Sequence, residues 1–328
     1  MALRPEGLSL RNAARAVPLP LRPPLRRVRD LATGRWPRQV AFWSLSRTSN
    51  TPETFTEKIL WRMAYDRRPI LTQFADKVAV RDYVADRVGE ELLTHLHGVY
   101  SRPDQVDWAA LPREYVCKAS HGSGGVVLVW DGAIEGSMLP ANAGRVEWDR
   151  FVVRPGVSVP PRLTSLMERW LGLNFEYGPG RLPEWAYRDI PPRVIFEELL
   201  AEADGSIPRD FKFYVFDDVV QLVQIDTARF GNHVREFFRS DGTPVDMHGN
   251  LHAPESATPL PDTLPRMIEI ATELGRGMDF VRVDLYDLPD RIAFGELTTT
   301  PGGGAIALHP RSFDVEFGSY WTLPTQRS

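Results

Sequence analysis

The sequence predicts an α+β fold, and three observations carry that expectation. Helical spacing comes first, over 55–68 and from Asp76, and recurs at 262–278. The β-rich runs come in neighbouring pairs joined by short turns, a pattern of antiparallel hairpins rather than of alternating strand and helix. The composition is that of a globular protein: 43% hydrophobic and 25% charged over 328 residues. That is enough for a large core and one to three domains.

Taken in order, residues 1–40 carry nine arginines against Glu6 and Asp30, together with six prolines. This reads as a basic, weakly ordered arm suited to an anionic membrane surface or a partner, or else as a solvated tail. Phe55–Arg68 has helical spacing, and a second helix starts near Asp76. Val99 and Tyr100 lead into a loop. Runs at 114–119 and 125–130 flank a glycine turn. Residues 133–192 are irregular, rich in Pro and Gly, with two Trp-bearing helical stretches. Arg193–Leu200 reads as a buried strand. Residues 211–230 form a hairpin turning at Asp217-Asp218. The helix at 262–278 precedes a last hairpin, 280–286 with 292–298, turning around Pro289-Asp290.

The bulk properties exclude several classes. A formal net charge of −4 and a pI near 6.0 give no sign of a nucleic-acid binder. Cys117 is the single cysteine, which rules out an internal disulfide and fits a reducing, cytoplasmic setting. No apolar run reaches 18 residues, and the N-terminus lacks a signal-peptide core.

The last hairpin is the most informative stretch. Folded about residue 290, it sets Asp284 opposite Glu296. Like charges directly opposed on a sheet repel. Side chains alternate, so Val283 and Leu297 face one side and Arg282, Asp284 and Glu296 the other. A cation between the two acids resolves the conflict, and two carboxylates completed by water and phosphate are a Mg²⁺ ligand set. A solvated edge hairpin is the alternative. Pro301 and three glycines, Gly302, Gly303 and Gly304, follow; such a loop lets backbone approach a ligand.

A second feature is Lys118-Ala-Ser-His-Gly-Ser-Gly-Gly125. A strand ends in Lys118, and a glycine turn returns into another strand. Successive backbone N–H groups there form an anion nest, and the lysine adds a point charge. It is neither a Walker loop nor a Rossmann fingerprint. Lysines are scarce, and Lys77, Lys118 and Lys212 all sit beside such segments, with Arg229 and Arg282 as further cations. Lys212 alternates with Phe211 and Phe213, so it points away from the apolar face. Glu197-Glu198-Leu199-Leu200 ends an apolar strand, either with backbone free for an adenine edge or simply with two exposed acids. Together these parts are the minimum for phosphoryl transfer.

The Lys118–Gly125 loop, Asp210-Phe-Lys-Phe-Tyr-Val-Phe216, and Arg282-Val-Asp-Leu-Tyr286 with Phe294-Gly-Glu-Leu-Thr-Thr-Thr-Pro-Gly-Gly-Gly304 resemble the ATP-grasp superfamily. They resemble most its TupA-like branch, named for teichuronopeptide biosynthesis. Asp76-Lys77 with Arg81 also matches. The likeness runs from about residue 55 to 318. It implies two α+β lobes with antiparallel-rich sheets clasping ATP, and a reduced N-terminal region. The implied divisions are an arm and linker at 1–50, helices at 51–115, a small lobe with an irregular insert at 116–200, and a large lobe with the metal site at 201–328.

The resemblance also implies roles. Lys77 and Lys118 would contact ATP phosphates. His121 and the Gly122, Ser123, Gly124, Gly125 lid would lie over them. Glu197, Glu198, Leu199 and Leu200 would meet adenine, and Asp210 and Lys212 would serve ribose and phosphate. Asp284 and Glu296 would hold Mg²⁺, two ions, with Thr298 standing where many ATP-grasp enzymes place Asn. Arg282 and Lys212 would neutralise an acyl phosphate, Arg229 would bind the substrate carboxylate, and Gly302–Gly304 would lie against the acceptor. The implied chemistry is ATP-dependent joining of a small-molecule carboxylate and an amine, in a cell-surface polymer or a specialised metabolite. A phosphotransferase acting on a sugar or polyol is the alternative within enzymes. A nucleotide-binding scaffold in a glycan-assembly complex, contacted through the arm, is the alternative outside them.

Overall fold

The computed structural model describes residues 51–176, 182–228, 233–247, 258–304, 308 and 310–324. The basic arm of residues 1–50 and Arg229 lie outside the described residues.

Two five-stranded sheets face each other across a cavity. The first holds β1 (Leu96–Tyr100), β2 (Tyr115–Ala119), β3 (Val126–Val129), β4 (Arg150–Val153) and β5 (Val194–Glu197), in the order β1-β5-β2-β3-β4. Only its β3–β4 pair is parallel. The second holds β6 (Asp210–Phe216), β7 (Val219–Thr227), β8 (Val234–Phe238), β9 (Phe280–Asp287) and β10 (Ile292–Thr298), antiparallel throughout, in the order β10-β9-β6-β7-β8. The expected α+β class is what the chain adopts.

Among the described residues, three helices precede the sheets: α1 (Phe55–Tyr65), α2 (Pro69–Ala75) and α3 (Ala79–Val88). Thr54 and Glu57 cap α1 reciprocally, each side chain accepting from the other's backbone N–H. The helix expected near Asp76 is α3, which begins at Ala79; α2 just before it is additional. Asp76 is extended, its Oδ1 accepts from Val78 N at 2.9 Å, and its Oδ2 pairs with Arg193 at 2.6 Å. That turn separates α2 from α3. As expected, Val99 and Tyr100, at the end of β1, lead into a loop.

Helix α4 (Val159–Leu171) covers the outer face of the first sheet, where Cys117, Ala119, Val127, Leu163 and Trp170 are fully buried. Helix α5 (Leu264–Gly275), with α2 and α3, covers one face of the second sheet over Phe211, Phe213, Val283 and Leu285. The other face is divided. One half is apolar, with Tyr214, Phe216 and Phe280 under α1 and α6 (Arg311–Ser319). The remaining half is polar and forms a wall of the cavity. Among the described residues no helix is long and apolar enough to cross a membrane.

Candidate active site

The cavity between the sheets measures ≈ 1160 Å³. Strand alternation decides what reaches it. On β2, Cys117 and Ala119 point into the core while Val116 and Lys118 face the cavity, joined by Val126 and Leu128 from β3. On β6, Phe211 and Phe213 are in the core and Lys212 is on the cavity side.

The acidic hairpin brings the expected pair together, though the turn alone does not: it sets Asp287 opposite Ile292 and Leu285 opposite Phe294, one residue short of a fold about 290. Glu296 pairs with Asp284, Leu297 with Val283 and Thr298 with Arg282, after a bulge at Gly295 absorbs one residue. Val283 and Leu297 are buried in the core, and the charged residues share the other face. The cation between the two acids is Arg282. Its Nε donates to Asp284 Oδ1 at 2.6 Å, and its Nη2 donates to Asp284 Oδ2 at 2.7 Å and Glu296 Oε1 at 2.8 Å. Lys212 Nζ donates to Asp284 Oδ2 at 2.7 Å and to Asp210. Thr298 Oγ1 donates to Glu296 at 2.9 Å and accepts from Arg282 at 3.1 Å.

On this sheet three carboxylates, Asp210, Asp284 and Glu296, therefore meet two cations. Burial pushes the Asp284 carboxyl up to about 6, with Glu296 and Asp210 adding to the rise and Arg282 and Lys212 opposing it. Carboxylate and hydroxyl oxygens facing a cavity are hard donors that fit a divalent cation held jointly with phosphate. Among the described residues no group of three or more His, Cys, Asp or Glu gathers to hold a metal unaided. Asp284, Glu296 and Thr298 would be the protein's share of such a site.

Across the cavity, the glycine loop is braced rather than loose. A Cβ on Gly122 would lie 2.5 Å from the Trp148 ring. Gly124, at φ +91°, would bring one within 2.2 Å of the Trp148 carbonyl oxygen. Gly125 N donates to that same carbonyl at 3.0 Å. The tip, Ser123-Gly124, edges the cavity, and its N–H groups have no protein partner among the described residues. Lys77 Nζ donates to Gly122 O at 2.5 Å, and Lys77 N donates to Ser120 O at 3.2 Å, so the α2–α3 turn is fastened to this loop. Desolvation brings the Lys77 ammonium down to about 8; Glu296 across the cavity opposes that and Lys118 reinforces it.

Lys118 pairs with Glu197 at 2.6 Å. Glu197 also accepts from Thr94 Oγ1 at 2.9 Å and from Arg81 Nη1 at 3.4 Å. Burial alone would raise this carboxyl, but Lys118 and the hydrogen bonds hold it below its usual range. Glu197 is the last residue of β5, registered with both Val116 and Leu96, so its backbone belongs to the sheet. Glu198, Leu199 and Leu200 line the cavity beyond it.

Some expected residues do not come together here. His121 is only 2% exposed and packs edge-on against Trp148, its Nε2 3.0 Å from Trp170 O; burial holds its pKa low. It braces the loop and does not line the cavity. Asp210 is buried behind Lys212. Gly302 and Gly303, at φ +62° and +57°, form with Gly304 the cavity edge next to Glu184, whose Oε2 accepts from Thr300 Oγ1 at 2.6 Å. Sequence reasoning passed over Glu184 and a polar group on β7 and β8. There Gln224 and Asp226 on one strand, and His233 and Arg235 beside and on the next, repeat at i, i+2. Two polar residues at that spacing inside an apolar run were the available signal.

A two-sheet clasp with cations on one wall and a carboxylate pair on the other matches a family by sequence as well. The chain belongs to the family described as TupA-like ATPgrasp, whose model matches residues 57–322. No curated protein matches it. Solved structures with a distant likeness include D-alanine–D-alanine ligase from Bacillus anthracis complexed with ATP. It aligns at 12% identity and TM-score 0.38, covering 71% of this chain and 56% of that one. The ATP-grasp ligase PsnB with minimal precursor, Mg and ADP aligns at 13% identity and TM-score 0.36, covering 84% and 66%. D-alanyl-alanine synthetase A from Vibrio cholerae O1 biovar eltor str. N16961 aligns at 12% and 0.40, covering 76% and 61%. This chain thus spans 56–66% of the length of these proteins. The family match, not these loose superpositions, carries the assignment.

Proposed function

We propose that this protein is an ATP-dependent carboxylate–amine ligase. The observation that carries the proposal is the convergence on one cavity of Lys77, Lys118 and the Ser123-Gly124 tip from one wall with Asp284, Glu296, Lys212 and Arg282 from the other. The family membership supports it.

ATP would lie between the sheets. Val116, Val126 and Leu128 offer the base an apolar floor, and the segment from Glu198 to Leu200 offers it a polar edge. Lys77, Lys118 and the loop N–H groups neutralise and orient the phosphates. Asp284, Glu296 and Thr298 would hold Mg²⁺, which would supply positive charge to the phosphates. The substrate carboxylate oxygen attacks the γ-phosphorus, the bond to the bridging oxygen breaks, and ADP leaves. The product is an acyl phosphate. The amine nitrogen then attacks the carbonyl carbon, phosphate departs with its oxygen, and the surplus proton on nitrogen passes to solvent. Arg282 and Lys212 face the charge that builds up in both steps. The product would be an amide of a cell-surface polymer or a specialised metabolite.

The test is ADP and phosphate release from Mg·ATP across a panel of acid–amine pairs. Release that requires both acid and amine is the expected result. Release with a hydroxyl acceptor alone, yielding a phosphorylated product, would overturn it in favour of a phosphotransferase.

A further inference from the structure

The polar wall of the second sheet is an ordered lattice. One row of registered positions runs Glu296–Asp284–Lys212–Gln224–Phe237, and the adjacent row runs Tyr286–Asp210–Asp226–Arg235. The nucleotide-facing charges occupy the β10, β9 and β6 end. A second charged group sits at the β7–β8 end, and the chemistry above leaves it unused.

That group is built around Asp226, which is 2% exposed. Arg235 grips it in a fork, Nε to Oδ1 at 2.6 Å and Nη2 to Oδ2 at 3.1 Å. Gln224 Nε2 donates to Oδ2 at 3.0 Å, and Tyr214 OH in turn donates to Gln224 at 2.8 Å. His233 Nε2 lies 3.2 Å from Oδ1. Burial would raise the Asp226 carboxyl, yet the Arg235 hydrogen bonds and charge bring it down to about 2. Asp226 is thus a fixed brace. A guanidinium has five N–H donors, and the fork uses two. Among the described residues Arg235 has no other partner. Its outer edge is therefore held, pre-oriented and available, and the side chain lines the cavity. Phe237, Met247 and Leu308 line the cavity at the same end.

The distance from the metal edge decides what this end can hold. Arg235 stands on β8 and Asp284 on β9, three strand spacings apart, roughly 14 Å between backbones. The carboxylate that is phosphorylated must lie near the Asp284–Glu296 edge. A different anionic group of the substrate is needed to reach Arg235. We propose that Arg235, braced by Asp226, is a specificity-determining residue that selects an acid bearing a second anionic group remote from the carboxylate that is activated. A carboxylate and a phosphonate or phosphate share the chemistry an arginine fork recognises. This inference rests on the ligase reading for its substrate and on the Asp226–Arg235 geometry for its site.

The experiment uses the full chain with Mg·ATP and hydroxylamine, which converts an acyl phosphate into a hydroxamate and phosphate. The acids are adipate and glutarate, the matched monoacids hexanoate and valerate, and 4-phosphonobutyrate. Diacids are expected to exceed matched monoacids in kcat/KM by about 10- to 100-fold, the worth of a charge-assisted fork. Arg235→Gln should erase that ratio by raising KM for the diacid, with KM for ATP unchanged, and Arg235→Lys should restore part of it. Comparison of adipate with the phosphonate tells which anion is preferred. Equal use of monoacids by the wild type, or a ratio that survives in Arg235→Gln, would overturn the proposal. If no acid yields hydroxamate, the ligase reading fails, and the subsite is decided by thermal shift. A Tm rise with adipate that Arg235→Gln loses sustains it; no rise in the wild type overturns it.

Discussion

Asp279 and Asp284 lie five residues apart, one just before β9 and one in its middle, and the net shifts of their carboxyls are opposite. Asp279 is clamped by Arg62 at 2.6 Å, by Arg68 at 2.7 Å and by Trp321 Nε1 at 2.7 Å. Burial works to raise its carboxyl, but Arg62, Arg68 and Trp321 outweigh that and hold it below the usual range. Asp66 completes the group beside Arg68, so two carboxylates balance two arginines. Around Asp284 the sheet sets three carboxylates against two cations, and its carboxyl is pushed up to about 6. Both clusters are buried ion networks built from the same residue types. The first is complete in itself and fastens the fold. The second faces a cavity, and burial together with Glu296 and Asp210 outweighs Arg282 and Lys212 at Asp284.

The contrast is open to direct attack. Asp279→Asn removes the closer charge partner of Arg62, which is 1% exposed, and leaves it Asp66 at 3.6 Å. A loss of about 3–5 kcal/mol in unfolding free energy is expected from breaking a buried ion pair. Denaturant titration reads it, and turnover per folded molecule should stay unchanged. Glu296→Ala should do the converse. Its side chain is 50% exposed, so stability should move by less than about 1 kcal/mol. Mg·ATP turnover should fall by about 10²–10³-fold, and a fall below threefold would remove Glu296 from the site. The mildest test is pH. Lys77 titrates near 8 in the free protein, and a phosphate neighbour favours its charged form. Nucleotide affinity should hold below pH 8 and decline above it, by up to about tenfold per unit. Calorimetry on Lys77→Arg should give a flat profile over the same range.

Much of this was legible in the sequence because the central strands are apolar runs with charges at fixed alternation. Lys212 between Phe211 and Phe213 could face only one way, and the two acids of the last hairpin were expected to meet, although the bulge at Gly295 that brings Glu296 opposite Asp284 was not. What escaped notice was the sheet edges. β1 (Leu-His-Gly-Val-Tyr), β4 (Arg-Phe-Val-Val) and β8 (Val-Arg-Glu-Phe-Phe) are three of the four edge strands. An edge strand is short and carries polar residues because one of its sides meets no neighbour. The fourth, β10, was legible because a short turn ties it to β9. The β7–β8 charge group was missed for the same reason, since half of it stands on an edge. His121 was misjudged because a glycine loop next to a histidine reads as a ligand site. Trp148, 27 residues later in the chain, turns that ring inward.

The Arg62 clamp has a further consequence, one of timing. Arg62 Nη1 donates to Phe280 O at 2.7 Å and to Thr299 O at 3.2 Å, so a helix at the beginning of the described fold ties down both ends of the hairpin that carries the acids. Its closer charge partner, Asp279, comes 217 residues later, and the Trp321 ring that covers it, 4.4 Å away, later still. On a ribosome making about 5–20 residues per second, α1 waits more than ten seconds before its arginine can be buried at all. The first sheet, complete by Glu197, can form in that interval. The wall that carries the acids is completed only after the first sheet, and its clamp only when Trp321 follows.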